Sequence, residues 1–444
     1  MSLLLQLAKH NRLKKIMNLR QTNPLFDPIS LGGHTLIHRV VMAPMTRTRA
    51  DDQTLSPTSE MATYYAQRAS NGGLLISEAV HISLEATPVW NIYSAVREQG
   101  GNVSGIWTET QTENWANVVQ AVHAKGALIS CQLLHTGRIA QPDIARHPLV
   151  QGQDVPLPPV SSSATPVGRG NSPGDYTWDQ PATCPRALDT DEIERVVEDY
   201  RRAAQNAFQA GFDFVEIHAA HGYLIDQFLN DGVNKRTDRY GGTASNQCRF
   251  LLEVVEAVGS LKGFDRVSVR LSPTNRDPVT GQQDQVYFDV TDSDPRAIYS
   301  HAINQLDAYE LAYLLLTEPR VGGLSANPGA SVSAVVKNSA FRQMFKGPLI
   351  GAGGFTPETA QSAIMQGHYD LIAFGRWFIS NPDLPARLRL GAPLNVYDRP
   401  SFYGGGAGGY TDYPDLTGTM GVPGKYTLMD QRDVGTSLLN QEDS

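Results

Sequence analysis

Along most of the chain, short apolar runs alternate with helix-periodic segments. Eight runs read as strands, at 39–43, 74–79, 127–134, 213–218, 266–271, 311–316, 348–352 and 370–374. Several, such as Val40-Val41-Met42 and Leu74-Leu75-Ile76, are apolar throughout, the pattern of parallel strands buried on both faces. Helix-periodic segments fall between them at 58–70, 113–125, 190–210, 247–262, 299–309, 332–346 and 357–367, with another at 382–390. Helix starts agree with these bounds. Asp191 and Glu192 put acids in a first turn, and Thr356-Pro357 sets a cap residue before a first-turn proline. Gly126, Gly211, Gly263 and Gly367 stand where helices stop. Eight strand–helix alternations predict an α/β fold, a (β/α)8 TIM barrel.

The barrel is expected over residues 22–413, as one domain between an N-terminal extension at 1–21 and a C-terminal tail at 414–444. Three regions break the repeat: the Pro/Ser/Gly-rich 139–188, the polar 274–297 and the stretch from Ser401. The first two follow strand carboxyl ends, so they read as lid insertions in βα loops over the active face.

Composition narrows the chemistry without naming it. A chain of 444 residues, 41% hydrophobic and 18% charged, has room for one large core. Its formal charge of -8 argues against a nucleic-acid groove or a basic membrane patch, which leaves small molecules as partners, to a monomer or homodimer. Cys131, Cys184 and Cys248 form no CxxC pair, which suits a reducing, cytoplasmic setting and excludes a disulfide framework or a cysteine-bound iron–sulfur cluster. No apolar run approaches membrane-spanning length. Residues 1–20 carry Lys9, Arg12, Lys14, Lys15 and Arg20 and no acid. They lack the serine richness and cleavage site of a targeting peptide, so they read as a frayed extension, with Met17 an alternative start.

In a parallel barrel all strand carboxyl ends share one face, so the residues there are read together. They are Thr46; Glu78; Gln132 and His135; His218, His221 and Tyr223; Arg270; Glu318; Gly353-Gly354; and Gly375-Arg376. Barrels commonly hold phosphate between the loops after strands seven and eight. Gly353 and Gly354 let backbone N–H groups approach an anion there, and Arg376 adds charge. A phosphorylated cofactor follows, FMN or pyridoxal phosphate. The latter needs a Schiff-base lysine, and no strand end supplies one, so flavin is favoured. His218 and His221 on their own fit either a metal pair or acid–base chemistry. They stand three apart at a strand end with no HExxH pattern, and no metal is expected.

Longer motifs carry a resemblance. They include His38-Arg39-Val-Val-Met-Ala-Pro44-Met-Thr46-Arg47, Tyr64-Tyr-Ala-Gln-Arg-Ala69, Leu75-Ile-Ser-Glu-Ala79 and Gln132-Leu-Leu-His135-Thr-Gly-Arg138. Gly211 through Phe228, Asn234 through Gly242, Val269-Arg270-Leu-Ser-Pro273, Glu318-Pro-Arg320, Gly375 through Asp383 and Phe402-Tyr403 continue it in order. Over about residues 22–413 the chain resembles the old yellow enzyme family of FMN-dependent ene-reductases, which take NADPH or NADH as reductant.

The resemblance implies roles. Ala43, Pro44, Met45 and Thr46 would lie along non-covalently bound FMN, with Thr46 bonded to the carbonyl beside the reactive nitrogen. Ala79 and Gln132 would meet the pyrimidine edge, and Arg270 would stand by N1 and O2, where charge gathers on reduction. Gly353, Gly354, Gly375 and Arg376 match the phosphate cradle. His218 and His221 resemble the pair that binds the carbonyl oxygen of an activated alkene, which receives hydride at its β-carbon. Tyr223 resembles the acid that protonates the α-carbon. A phenol of reference pKa about 10 holds its proton at neutral pH. Tyr403 resembles a wall residue of the substrate pocket.

Departures bear on specificity. Thr46 replaces the cysteine of another branch, and two histidines stand where others have His and Asn. Leu134 takes the place of a bulky tryptophan and should widen the pocket. Thr-Ala-Ser-Asn-Gln-Cys-Arg-Phe at 243–250 departs from the usual Ser-Ile-Glu-Asn-Arg-x-Arg-Phe, removing an ion pair. Glu78, Glu318, Arg236 and Asp238 read as structural, and His135 as a satisfied polar group. A dedicated substrate, as in 12-oxophytodienoate reductases, or a flavin-binding redox-responsive protein are the alternative readings.

Overall fold

In the computed structural model the eight apolar runs become eight parallel strands closed into a barrel. The structure describes residues 23–87, 102–140, 159–167, 184–274, 287–319, 337–422 and 424–431. The strands are β1 (Val40–Met42), β2 (Leu74–His81), β3 (Leu128–Leu134), β4 (Phe214–His218), β5 (Val267–Leu271), β6 (Tyr313–Thr317), β7 (Leu349–Ala352) and β8 (Leu371–Phe374). They follow one another around the barrel in chain order, and β8 closes on β1 with Ala373 beside Val41. The helices are α1 (Ser59–Arg68), α2 (Glu109–His123), α3 (Thr190–Gln209), α4 (Leu224–Leu229), α5 (Ala244–Lys262), α6 (Pro295–Leu306), α7 (Pro357–Met365), α8 (Arg376–Ser380) and α9 (Leu384–Leu390). None of the described helices is long and apolar enough to cross a membrane.

Strand alternation sorts the side chains. Val215 and Ile217 of β4, Val267, Val269 and Leu271 of β5, and Leu314 and Leu316 of β6 face outward and pack in the core shared with the helices. Phe214, Tyr313, Leu315, Ile350 and Leu371 face inward and fill the barrel. The same inward parity carries Gln132, His218, Arg270 and Thr317 into the cavity at the strand carboxyl ends. β2 is the exception. Its register against β3 shifts between Ile76 and Ala79, and the irregularity puts Ala79 rather than Glu78 on the cavity wall.

An antiparallel hairpin, Ile29–Leu31 with His34–Leu36, lies ahead of the barrel, and its Leu31 and Leu36 belong to the barrel's inner core. Gly32 turns it at φ +50, and a Cβ there would stand 2.4 Å from both Asp265 O and Phe214 Cε1.

The expected helix at 332–346 is instead a 3-10 turn, Lys337–Gln343, with 332–336 outside the described residues. Caps moved three other starts upstream. Thr108 and Gln111 form a capping box that starts α2 at Glu109, Thr243 accepts from Asn246 N–H to start α5 at Ala244, and Asp294 caps α6 at Pro295. The hairpin, α4 and α8 are elements that the strand and helix patterns did not announce. Residues 1–21, 275–286 and most of 139–188 lie outside the described residues. Towards the C-terminus, Leu428–Met429 pairs with Leu394–Asn395, and Gln431 Nε2 donates to the carbonyls of Arg387 and Ala392.

Candidate active site

One cavity of about 300 Å3 opens at the carboxyl ends of the strands. All sixteen residues expected at the site line it: Ala43, Pro44, Met45, Thr46, Ala79, Gln132, Leu134, His218, His221, Tyr223, Arg270, Gly353, Gly354, Gly375, Arg376 and Tyr403. They come from both ends of the sequence and from seven of the eight strand ends, so the closed barrel alone brings them together.

At one end two glycines shape the backbone. Gly353 and Gly354 follow β7 at φ +100 and +66, and a Cβ on Gly353 would crowd Glu318 O at 3.1 Å and Glu318 N at 3.2 Å. Arg376 stands opposite on α8, its Nη1 donating to Tyr397 Oη at 3.4 Å and its guanidinium 5.5 Å from the Tyr397 ring centroid. Arg68, almost fully buried, holds α8 from below. Its Nε donates to Phe378 O at 2.8 Å and its Nη2 to Ile379 O at 2.5 Å and Tyr410 O at 3.0 Å. A five-residue helix leaves its last carbonyls without internal partners, and Arg68 supplies them.

The middle of the cavity is a polar floor. Gln132 Nε2 donates to Glu216 Oε1 at 2.6 Å, which leaves the Gln132 carbonyl as an acceptor for a ligand N–H. Burial pushes the Glu216 carboxyl above its usual range, and the Arg270 cation opposes that shift. Arg270 neighbours His218 in the β4–β5 register and donates through Nε to Thr317 Oγ1 at 3.2 Å.

The other half holds the imidazoles and phenol. The Ala220 N–H donates to His218 Nδ1 at 3.3 Å, so the neutral His218 ring carries its proton on Nε2. His221 occupies φ +58, with its N–H donating to Ser272 Oγ at 2.8 Å and its Nε2 3.2 Å from Thr317 Oγ1. Burial, and then Arg270, hold both imidazoles well below the usual pKa, so both are neutral. Their ring centroids are 5.3 Å apart, edge to face, and the Tyr223 ring stands 5.1 Å from His218. Tyr223 caps α4. Gly222 before it turns at φ +78, where a Cβ would lie 2.6 Å from Tyr287 O.

Several wall residues lay outside the sequence reading: Thr317, Tyr287, Phe288, Phe355 and Arg399. For the sixth strand the sequence reading names only Glu318, as a structural residue. The structure buries Glu318 behind the wall, accepting from Lys337 N–H, Asn338 N–H and Tyr369 O–H, and gives the cavity Thr317. Inward parity from Tyr313 and Leu315 points to Thr317 and was the available signal. Tyr287 and Phe288 are two adjacent aromatics in a polar stretch, 4.6 Å from His221 and 5.8 Å from Tyr223 between ring centroids.

The residues read as structural do not line the cavity. Glu78 accepts the Arg47 N–H at 3.2 Å, and burial pushes its carboxyl up to about 7. Arg236 pairs with Asp238, and His135 Nδ1 accepts the Gly137 N–H at 3.0 Å. Arg249 donates to Arg239 O and Asn246 Oδ1.

The C-terminal wall is clamped by the segment that follows β1. Arg47 donates to the carbonyls of Phe402 at 2.8 Å and Gly409 at 3.0 Å, Arg49 to Ser401 O at 3.1 Å, and Gly404 N–H to Thr48 Oγ1 at 2.6 Å. Tyr64 and Tyr410 stack at 4.1 Å beneath them. Tyr403 and Phe402 are thus fixed over the site by residues some 355 positions away.

Fold and cavity are those of a flavin-dependent oxidoreductase. The NADH:flavin oxidoreductase / NADH oxidase family matches residues 24–395. The chain belongs to it, as an FMN-dependent member of the old yellow enzyme family. It is 42% identical over 395 residues to a putative 12-oxophytodienoate reductase 3 of Oryza sativa subsp. japonica, covering 88% of this chain and 93% of that one. Identity to 12-oxophytodienoate reductase 2 of Arabidopsis thaliana is 40% over 402 residues, 90% and 98% of the two chains. Morphinone reductase in complex with tetrahydroNAD superposes at TM-score 0.73 and 42% identity, over 88% of this chain and 97% of that one. An old yellow enzyme homologue from Zymomonas mobilis reaches TM-score 0.74 at 39% identity, over 88% and 99%.

Proposed function

We propose that this chain reduces the carbon–carbon double bond of α,β-unsaturated aldehydes, ketones and maleimides, and of nitroalkenes, at the expense of NADPH or NADH. The observation that carries it is the convergence of two neutral imidazoles and a phenol on a cavity whose opposite half suits FMN. Gly353, Gly354, Gly375 and Arg376 would hold the phosphate, Gln132 and Ala79 the pyrimidine edge, and Thr46 and Arg270 the redox-active ring. Ala43, Pro44 and Met45 line its path. Once bound, FMN supplies hydride chemistry, accepting from the nicotinamide and delivering to the alkene β-carbon.

The remaining work belongs to side chains. His218 and His221 donate to the carbonyl oxygen, where negative charge grows during the reaction, and neutral donors at a buried site need no rearrangement to do so. Tyr223 supplies the proton to the α-carbon. Leu134 and Tyr403 bound the substrate, and Leu134 leaves room for a bulky ring. A dedicated substrate of the 12-oxophytodienoate kind is the second reading, favoured by the names of the relatives above.

Purified protein should be yellow and release FMN on denaturation. Under anaerobic conditions, protein reduced by NADPH should be reoxidised by cyclohex-2-enone, N-ethylmaleimide and a nitrostyrene. Colourless protein that takes up no FMN, or reduced protein that none of these reoxidises, would overturn the proposal. The pH dependence has a definite sign. Because both imidazole pKa values are lowered, neither histidine gains a proton as pH falls through the ordinary value near 6.5. Enone affinity should therefore stay level between about pH 8 and about pH 5.5, and a tenfold loss centred near pH 6.5 would show that the imidazoles titrate normally.

A further inference from the structure

Thr317 ends β6 with its hydroxyl buried between the two halves of the cavity. Arg270 Nε lies 3.2 Å from Oγ1 on one side, and His221 Nε2 lies 3.2 Å away on the other. A guanidinium can only donate, so Thr317 Oγ1 accepts from Arg270. A buried hydroxyl proton needs an acceptor of its own, and His221 Nε2 is the one that the described residues place on that oxygen. The hydroxyl therefore donates to Nε2, and the proton of the neutral His221 ring stands on Nδ1. His218 carries its proton on Nε2, because Ala220 N–H occupies Nδ1. The two imidazoles are opposite tautomers, held by different neighbours.

We propose that Thr317 is a positioning residue: it fixes the His221 tautomer that presents Nδ1–H to the substrate oxygen, and relays the polarisation of Arg270 to it. The chain runs from a buried cation through a hydroxyl and an imidazole to the oxygen that gains charge. Hydrogen bonds in such a chain strengthen one another. Ring rotation is restricted as well, by the left-handed backbone at His221, the Ser272 bond to its N–H and the Tyr287 ring at 4.6 Å. This inference rests on the reading of His221 as a carbonyl donor.

Thr317→Val and Thr317→Ser separate the hydroxyl from the methyl. Valine keeps the shape and loses the relay, whereas serine keeps the relay and loses the methyl. The probe is 4-nitrophenol bound to the FMN-loaded, oxidised protein. Its phenolate oxygen stands for the charged substrate oxygen, and its own visible absorbance reports both occupancy and ionisation. Thr317→Val should weaken nitrophenolate binding about tenfold, as expected for losing a hydrogen bond to a charged group, and raise the pKa of the bound phenol by about one unit. Thr317→Ser should match the wild type, and FMN affinity should be unchanged in both.

The relay is overturned if Thr317→Val binds nitrophenolate like the wild type, or if Thr317→Ser is the impaired variant. A parallel loss of FMN affinity in Thr317→Val would also overturn it, making Thr317 a support of Arg270 alone. In each of these results the wild type still binds FMN and the phenol, so the proposed function stands. Wild-type protein that binds neither would remove the functional reading and the relay together.

Discussion

Replacing Tyr223 with phenylalanine should slow alkene reduction by about 10²- to 10⁴-fold, the range for losing a positioned general acid, and leave flavin reduction by NADPH nearly unchanged. The substitution is conservative for the fold. The ring packs edge to face on His218 at 5.1 Å and against Phe288 at 5.8 Å, and a phenyl ring keeps both neighbours. The chain turn that presents it depends on Gly222 and on backbone bonds, including Leu224 N–H to His135 O at 3.0 Å, which phenylalanine keeps. Stopped-flow measurement of the two half-reactions separately decides the matter. Equal losses in both would return Tyr223 to a packing role, because an acid for the α-carbon acts only on the alkene.

Arg68→Met should be the most damaging single change outside the cavity. Methionine keeps an unbranched stem but offers no donor, leaving the carbonyls of Phe378, Ile379 and Tyr410 buried without the partner they have now. The guanidinium also lies 3.6 Å from the Tyr64 ring centroid, and a neutral thioether forfeits that cation–π attraction. Burial lowers the Arg68 pKa to about 10, so it is still a cation at neutral pH and its bonds to carbonyls are charge-assisted. Removing such a hub costs about 3–5 kcal/mol, a large share of a typical folding stability. The urea midpoint should fall sharply, and FMN affinity should fall with it, because α8 carries Arg376. A variant with the wild-type midpoint and wild-type FMN affinity would show that α8 needs no such anchor.

The barrel was legible because strands buried on both faces leave continuous apolar runs, and eight of them were spaced by helix-length segments. Site membership was legible for the same geometric reason, since a parallel barrel sends every strand end to one face. What sequence did not reveal depends on single-residue phase and on loops. The motif resemblance places Ala79 at the site and leaves Glu78 and Glu318 structural, in agreement with the shift after Ile76 and the burial of Glu318, but it does not name Thr317, which strict alternation on β6 gives to the cavity. Strand period is two, so an error of one residue exchanges wall for interior. Tyr287 and Phe288 follow from a loop whose Phe288 and Asp289 adopt φ +47 and +59, a turn made without glycine and so without the usual signature. The N-terminal hairpin did carry a signal, the Gly32-Gly33 pair between Leu31 and His34, but its three-residue strands are shorter than the pattern sought.

The clamp between Arg47–Arg49 and the segment around Phe402 has a consequence for biosynthesis. Arg47 and Arg49 leave the ribosome well before the carbonyls they hold, which belong to residues 401, 402 and 409. At ~5–20 residues per second, those partners emerge tens of seconds later. Until then two arginines destined for burial wait in solvent, and the pocket lacks one wall. A complete pocket therefore has to await the segment at 401–409, and ribosome-stalled fragments ending before about residue 400 should not retain FMN.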